Sequence, residues 1–165
     1  FRDPEREVPP GDDSIISPAD GRVIKVEPAS EDTLLKGEAT KISIFMNVFN
    51  VHVNRVPASG RVTAVAYHPG KFFSADLDKA SEDNERNAIL IETPGGKRFV
   101  TVQIAGLIAR RIVCCLKEGV DVEKGKRFGM IRFGSRLDVY LPPEARVEVR
   151  VGDRVKAGSS ILGYW

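Results

Sequence analysis

The hexapeptide Pro18-Ala19-Asp20-Gly21-Arg22-Val23 returns 39 residues later as Pro57-Ala58-Ser59-Gly60-Arg61-Val62, with Val26 matched by Val65. A second element, Gly119-x-x-Val122-x-x-Gly125, returns 33 residues later as Gly152-x-x-Val155-x-x-Gly158, with Phe128 and Ile161 as the apolar residues that follow. Short units of this size cannot bury an apolar face singly, so duplicated copies must pack on one another. Around them run short β-branched or aromatic stretches bounded by Gly and Pro, at Val23–Val26, Ile42–Phe45, Val62–Tyr67, Ala88–Glu92, Phe99–Ile104, Ile112–Leu116 and Val147–Val151. The expected fold is mainly β, a compact sandwich or barrel with approximate two-fold internal symmetry and few short helices.

At 165 residues and 42% hydrophobic, the chain can bury one sizeable core, and a single domain over residues 1–165 is expected. Its formal charge of +2 is spread without a basic block, which gives no electrostatic case for nucleic acid. Cys114 and Cys115 are adjacent, which strains a disulfide and matches no metal-ligand spacing, so the pair reads as reduced core residues in a reducing compartment and no metal is expected. No apolar run approaches the roughly 18 to 20 residues of a membrane-spanning helix. The opening FRDPEREVPPGDDS is polar and proline-rich, and reads as an extended arm. Because the sequence starts at Phe1 rather than Met, an N-terminal anchor upstream of it stays open.

Candidate chemistry centres on Phe128–Leu141, where apolar runs of period two flank a single Gly134-Ser135 step. Glycine permits unusual backbone angles there, and its missing Cβ lets a hydroxyl approach its carbonyl. Of two histidines, His52 lies in NVFNVHVNRVP, an apolar strand ending in Asn54-Arg55, and is the better base; His68, in YHPGKFF, precedes a turn and reads as structural. Asp20 sits in the turn SPADGR. A serine, a histidine and an aspartate in strand-end turns permit an activated nucleophile, though spacing alone does not assemble one. The polar interruption Ser74–Asn87 reads as a long loop able to carry function. Gly158-Ser159-Ser160 copies the Gly-Ser step, but sits in the second glycine repeat opposite Lys126 and Arg127 and needs no catalytic role.

The P-x-x-G-x-V openings and G-x-x-V-x-x-G closings are similar to the biotinyl/lipoyl half-barrel, which supports the fold and leaves function open. More specifically, SPADGRV, NVHVNRVP, PGKFFSADLDKASEDNERN, ARRIV, KGKRFGMIRFGSRLDVYLP and the opening FRDP together resemble the short form of the phosphatidylserine decarboxylases, over nearly the whole chain. That family is made as a proenzyme that cuts itself at a Gly-Ser bond and turns the serine into an N-terminal pyruvoyl group. The resemblance places the cut at Gly134-Ser135, giving a β-chain of residues 1–134 and an α-chain of 135–165, with Asp20, His52 and Ser135 as the processing triad. Two departures stand out: Arg136 where the bacterial motif commonly continues Gly-Ser-Thr, and Arg55 where some members carry a second histidine.

The resemblance further implies that His52, held by Asp20, takes the proton of Ser135 as its hydroxyl attacks the Gly134 carbonyl. The resulting pyruvoyl carbonyl then forms a Schiff base with the serine amine of phosphatidylserine, or of an archaeal ether-lipid analogue, and phosphatidylethanolamine is the product. With a lone well-placed histidine, His52 is expected to serve both maturation and proton return to substrate. Arg55, Lys71 and Arg86, with Asn84 and Asn87 as neutral donors, are candidates for the substrate's carboxylate and phosphodiester, and Phe72 and Phe73 for its acyl chains. The implied setting is a homodimer on the cytoplasmic face of the cell membrane, peripheral or anchored N-terminally. A competing reading takes Asp78-Lys79-Ala80 as a lipoyl-type attachment tripeptide of a carrier domain, with Lys79 modified; a third is an inert binding module.

Overall fold

The computed structural model describes residues 4–47, 52–77, 80–106, 111–131 and 134–165, so Lys79 and the carrier reading's attachment point lie outside the described residues. In chain order the strands are β1 (Ser14–Ile16), β2 (Gly21–Glu31), β3 (Gly37–Met46), β4 (Val53–Arg55), β5 (Gly60–His68), β6 (Arg86–Glu92), β7 (Arg98–Ile104), β8 (Ile112–Cys114), β9 (Asp121–Val122), β10 (Arg127–Ile131), β11 (Ser135–Leu141), β12 (Arg146–Val147), β13 (Arg154–Val155) and β14 (Ile161–Tyr164). One helical turn, α1 (Ala80–Asp83), interrupts the segment expected to be a loop. The run Val147–Val151 is strand only over Arg146–Val147, because Val151 enters a turn closed by Gly152 at φ +100° and is left 63% exposed.

Eight strands form a curled half-barrel in the order β13-β2-β3-β11-β7-β6-β5-β9, with small sheets β1-β14-β12 and β4-β10-β8 beside it. The sequence repeats meet in space as a pseudo-dyad. β2 pairs with β13 as Gly21 to Val155, and β5 pairs with β9 as Gly60 to Val122, so each opening hexapeptide receives one closing glycine motif. Backbone bonds repeat with the same offsets: Ile16 N–H donates to Pro57 O and Arg55 N–H to Pro18 O, while Gly158 donates to Ser17 O and Gly125 to Val56 O. Even the irregularities match, since bulges fall between Val23 and Lys25 and between Val62 and Ala64.

β11 runs between β3 and β7 and is buried on both faces. Its inner face, Leu137, Val139 and Leu141, joins Ile42, Ile44, Val62, Ile89 and Phe99 in the main core. The outer face carries Arg136, Asp138 and Tyr140, and a second apolar cluster of Ala80, Ala88, Val100 and Ile104 forms beside them. A strand covered twice cannot slip by one residue without exchanging apolar for charged side chains, so the register that begins β11 at Ser135 is fixed.

Candidate active site

Ser135 opens β11 directly opposite Met46, and the Gly134 N–H donates to Met46 O at 2.7 Å. Gly134 has φ +78°, a backbone region that a side chain resists, so the chain turns into the strand here only with glycine. A Cβ on Gly134 would meet nothing within 4 Å among the described residues beyond its chain neighbours. The close approach is made by a second glycine, at position 106. A Cβ there would fall well inside contact with the Gly134 carbonyl oxygen and 2.8 Å from its carbon. Sequence reasoning missed Gly106, because a lone glycine at a strand end looks like an ordinary terminator.

The Ser135 side chain is wholly buried, with Oγ 3.6 Å from Met46 Sδ. Behind Met46 runs a chain of amides: Asn54 Nδ2 is 4.0 Å from Met46 Sδ, Gln103 Nε2 donates to Asn54 Oδ1 at 3.0 Å, and Asn87 Nδ2 donates to Gln103 Oε1 at 3.1 Å. Buried amides persist in a core only when they satisfy one another, and this run does so next to the serine. The chain reaches Cys114, whose thiol is pushed up chiefly by burial, with the Leu116 backbone and the Asn87 side chain opposing; Cys115, expected in the core, is exposed, because adjacent residues on an extended chain point to opposite sides.

His52 directly precedes β4, and its carbonyl accepts from Ile131 N–H at 3.2 Å, where β10 ends before the Gly134-Ser135 step. Its Nε2 is shielded from solvent. Asp20 lies just before β2, and the β2-β3 register extends it toward Asn47 at the same sheet end as Met46 and Ser135. Asp20 Oδ1 accepts from Ala157 N–H at 2.7 Å, and Oδ2 from Arg6 Nη2 at 2.7 Å. The first bond belongs to the scaffold, since Ser59 Oγ accepts Lys124 N–H at the dyad-related place. The second makes a partly buried ion pair with the N-terminal arm. Arg6 had no sequence signal, standing in a polar stretch without periodicity.

The residues expected to meet substrate divide by what already occupies them. Arg55 is 5% exposed and donates to Gly125 O and Pro4 O, tying the arm to the glycine turn. Asn84 is fully buried and spends both N–H groups on Phe73 O and Ala105 O, leaving no donor for a ligand. Lys71 is exposed, bridges to Asn84 through the backbone and carries its ammonium 5.7 Å from the Phe73 ring centre. Arg86 donates to Glu82 O at 2.7 Å. Asn87 belongs to the amide chain, and Phe72 and Phe73 are half-buried.

Arg136, the departure from the commoner motif, is the largest wholly buried side chain. Its guanidinium holds Asp138 at 2.7 Å and Ser43 Oγ at 2.9 Å, and reaches Ala75 O and Leu77 O at 3.3 Å, clamping the loop onto β11 one residue from Ser135.

The family model described as phosphatidylserine decarboxylase matches residues 1–163. Among curated relatives, the phosphatidylserine decarboxylase proenzyme of Syntrophus aciditrophicus is 60% identical over 99% of this chain and 76% of its own length. The proenzymes of Desulfotalea psychrophila and Magnetococcus marinus are 54% and 50% identical over 99% of this chain, covering 76% and 75% of theirs. With a match of this length and identity running through the Gly-Ser step and its buried surroundings, the chain belongs to the phosphatidylserine decarboxylase family.

Proposed function

We propose that this chain matures by cutting itself between Gly134 and Ser135, and then decarboxylates phosphatidylserine to phosphatidylethanolamine with a pyruvoyl group made from Ser135. The observation that carries the reading is the scissile unit itself: a positive-φ glycine whose carbonyl faces the bare Cα side of Gly106, followed by a serine wholly buried at the start of a core strand. The relatives' names as proenzymes agree with a processed chain.

In maturation, Ser135 Oγ attacks the Gly134 carbonyl carbon while its proton passes to the His52 imidazole, and the amide is exchanged for an ester. The Asp20 carboxylate is fixed at this end by Ala157 N–H and Arg6. Holding attacker and carbonyl in adjacent residues of a rigid strand start makes the step effectively unimolecular. The site fits the family's group: residue 135 is walled by Met46 and backed by the Asn54-Gln103 amides, surroundings that would keep it dry and oriented. That group supplies an electrophilic carbonyl and an electron sink for the departing carbon dioxide. His52 then returns a proton to the substrate carbon, within a site whose own residues supply no other imidazole.

Acting on a bilayer lipid places the chain at a membrane surface, peripheral or tethered from outside the described residues, and we propose a homodimer there on the cytoplasmic face. No helix among the described residues is long and apolar enough to cross a membrane. Diacyl and ether lipids offer the same reacting headgroup, so both are candidate substrates.

Ser135→Ala should abolish cleavage and phosphatidylethanolamine formation, whereas Ser159→Ala, in a surface turn whose N–H donates to Lys156 O, should process normally. Two bands against one on a denaturing gel, with headspace carbon dioxide, read both outcomes. His52→Ala should slow cleavage by about 10² to 10⁴, the size of a general acid-base contribution. Normal processing of Ser135→Ala would refute the assignment.

A further inference from the structure

The pseudo-dyad provides an internal comparison of the two ends of the half-barrel. In the half remote from Ser135, Arg61 of β5 faces Asp121 of β9 and pairs with it at 3.0 Å. In the half beside Ser135, the equivalent of Arg61 is Arg22, and the equivalent of Asp121 is Arg154, again directly opposite across the strands. Two residues on, Glu123 of the first half becomes Lys156 of the second. The same scaffold thus carries an ion pair at one end and three cations at the other. Like charges directly opposite in a sheet are unfavourable, and no carboxylate among the described residues offsets them, since Asp20 is taken up by Arg6.

These cations line a concave pocket of about 320 Å³, bounded by Asp20, Arg22, Phe45, Asn47, Arg154 and Lys156. Its position is tied to the reacting residue by the sheet: Ser135 pairs with Met46, and the β2-β3 register places Gly21, next to Arg22, across from Met46. The backbones of Ser135 and Gly21 therefore stand two strand spacings apart, about 10 Å; Arg22, in register with Phe45 and Arg136, projects from the outer face, so the pocket meets Ser135 around the shared sheet end rather than across one face. In a serine phosphodiester, four bonds separate amine nitrogen from phosphorus, roughly 5 Å, and long arginine side chains span the rest. A cavity of about 520 Å³ lined by Trp165 and Pro94 belongs to the other end of the half-barrel, by the β6-β7 turn.

Resting on the function proposed above, we infer that Arg22, Arg154 and Lys156 form the binding site for the phosphodiester of the lipid being decarboxylated. Arginine forks suit phosphate oxygens, and the charge inversion across the dyad is what turns a structural ion pair into an anion site.

The test uses Arg154→Asp, which recreates at this end the Arg-Asp pair that the other end already accommodates, so the fold is expected to tolerate it. With dihexanoyl phosphatidylserine below its micellar concentration, the processed variant should show KM raised ten- to a hundredfold and kcat changed far less. Arg22→Gln should move KM the same way. Binding of the same lipid to uncleaved Ser135→Ala protein, followed by arginine side-chain NMR signals, should perturb Arg22 and Arg154, and inorganic phosphate should compete weakly. An unchanged KM with monomeric lipid overturns the inference, including the case where only anionic vesicles reveal a loss, which would assign these cations to general surface attraction. If NMR binding is seen but the wild type releases no carbon dioxide, the failure lies with the proposed reaction and the anion site stands.

Discussion

Gly106→Ala should give a folded chain that does not cut itself. The backbone at 106 is not in the positive-φ region, so alanine brings no conformational strain of its own. Its methyl would instead press on the Gly134 carbonyl oxygen, stand 2.8 Å from the carbonyl carbon and lie 3.3 Å from Ala75 Cβ. Ala75 is buried within the loop that Arg136 holds by its carbonyl, so that side gives little, and the scissile carbonyl must move. Overpacking of this size costs about 1–3 kcal/mol of stability, which a folded domain survives. The same displacement at a reacting carbonyl is worth about 10² or more in rate. A time course of the proenzyme band should therefore show at least hundredfold slower processing, while circular dichroism reports native β structure. Cleavage at the wild-type rate, or a loss that merely tracks unfolding, would remove Gly106 from the chemistry.

Arg136→Leu should be the most destabilising single change near the site. Arg136 and Asp138 are both wholly buried, their side chains fully withdrawn from water. Removing the cation breaks a buried ion pair in the core, at a cost of about 3–5 kcal/mol. It also frees the Ala75 and Leu77 carbonyls, so the loop over β11 should loosen before the sheet does. Measured by urea unfolding in the uncleaved Ser135→Ala background, Arg136→Leu should lower the midpoint strongly. Adding Asp138→Leu should recover much of the loss, since replacing both members of a buried pair by apolar groups is often close to neutral. A double variant no better than the single would show that the loop contacts, rather than the buried charge left behind, set the cost.

What could be read from the sequence follows from how local each feature is. The β class was legible because runs such as Phe99–Ile104 carry their own residue preference and glycine boundaries. The duplication was legible as repeated letters, but not that each opening motif pairs with a closing motif more than 60 residues away, as Gly60 does with Val122. That pairing is decided by packing across the whole core. Ser135 stood out through its motif, whereas its neighbours in space did not. Gly106 matters only because Gly134 folds against it, and Arg6 only because the arm lies over Asp20. Arg136, taken as a departure, carried a local clue in hindsight: Arg-x-Asp on one strand puts both charges on one face, where they can pair. The alternative carrier reading needed Lys79 on a tight hairpin between the repeats, and the match to a decarboxylase family over residues 1–163 does not favour it.

The central claim is that Ser135 becomes the reacting group, and intact-mass measurement of the purified protein tests it most directly. The account predicts two chains, one ending at Gly134 and one spanning 135–165, the second lighter by one ammonia than a chain beginning with serine and shifted by borohydride reduction of its new carbonyl. A single uncut chain, or a 135–165 fragment that keeps a serine amino terminus while the protein still decarboxylates phosphatidylserine, would contradict it.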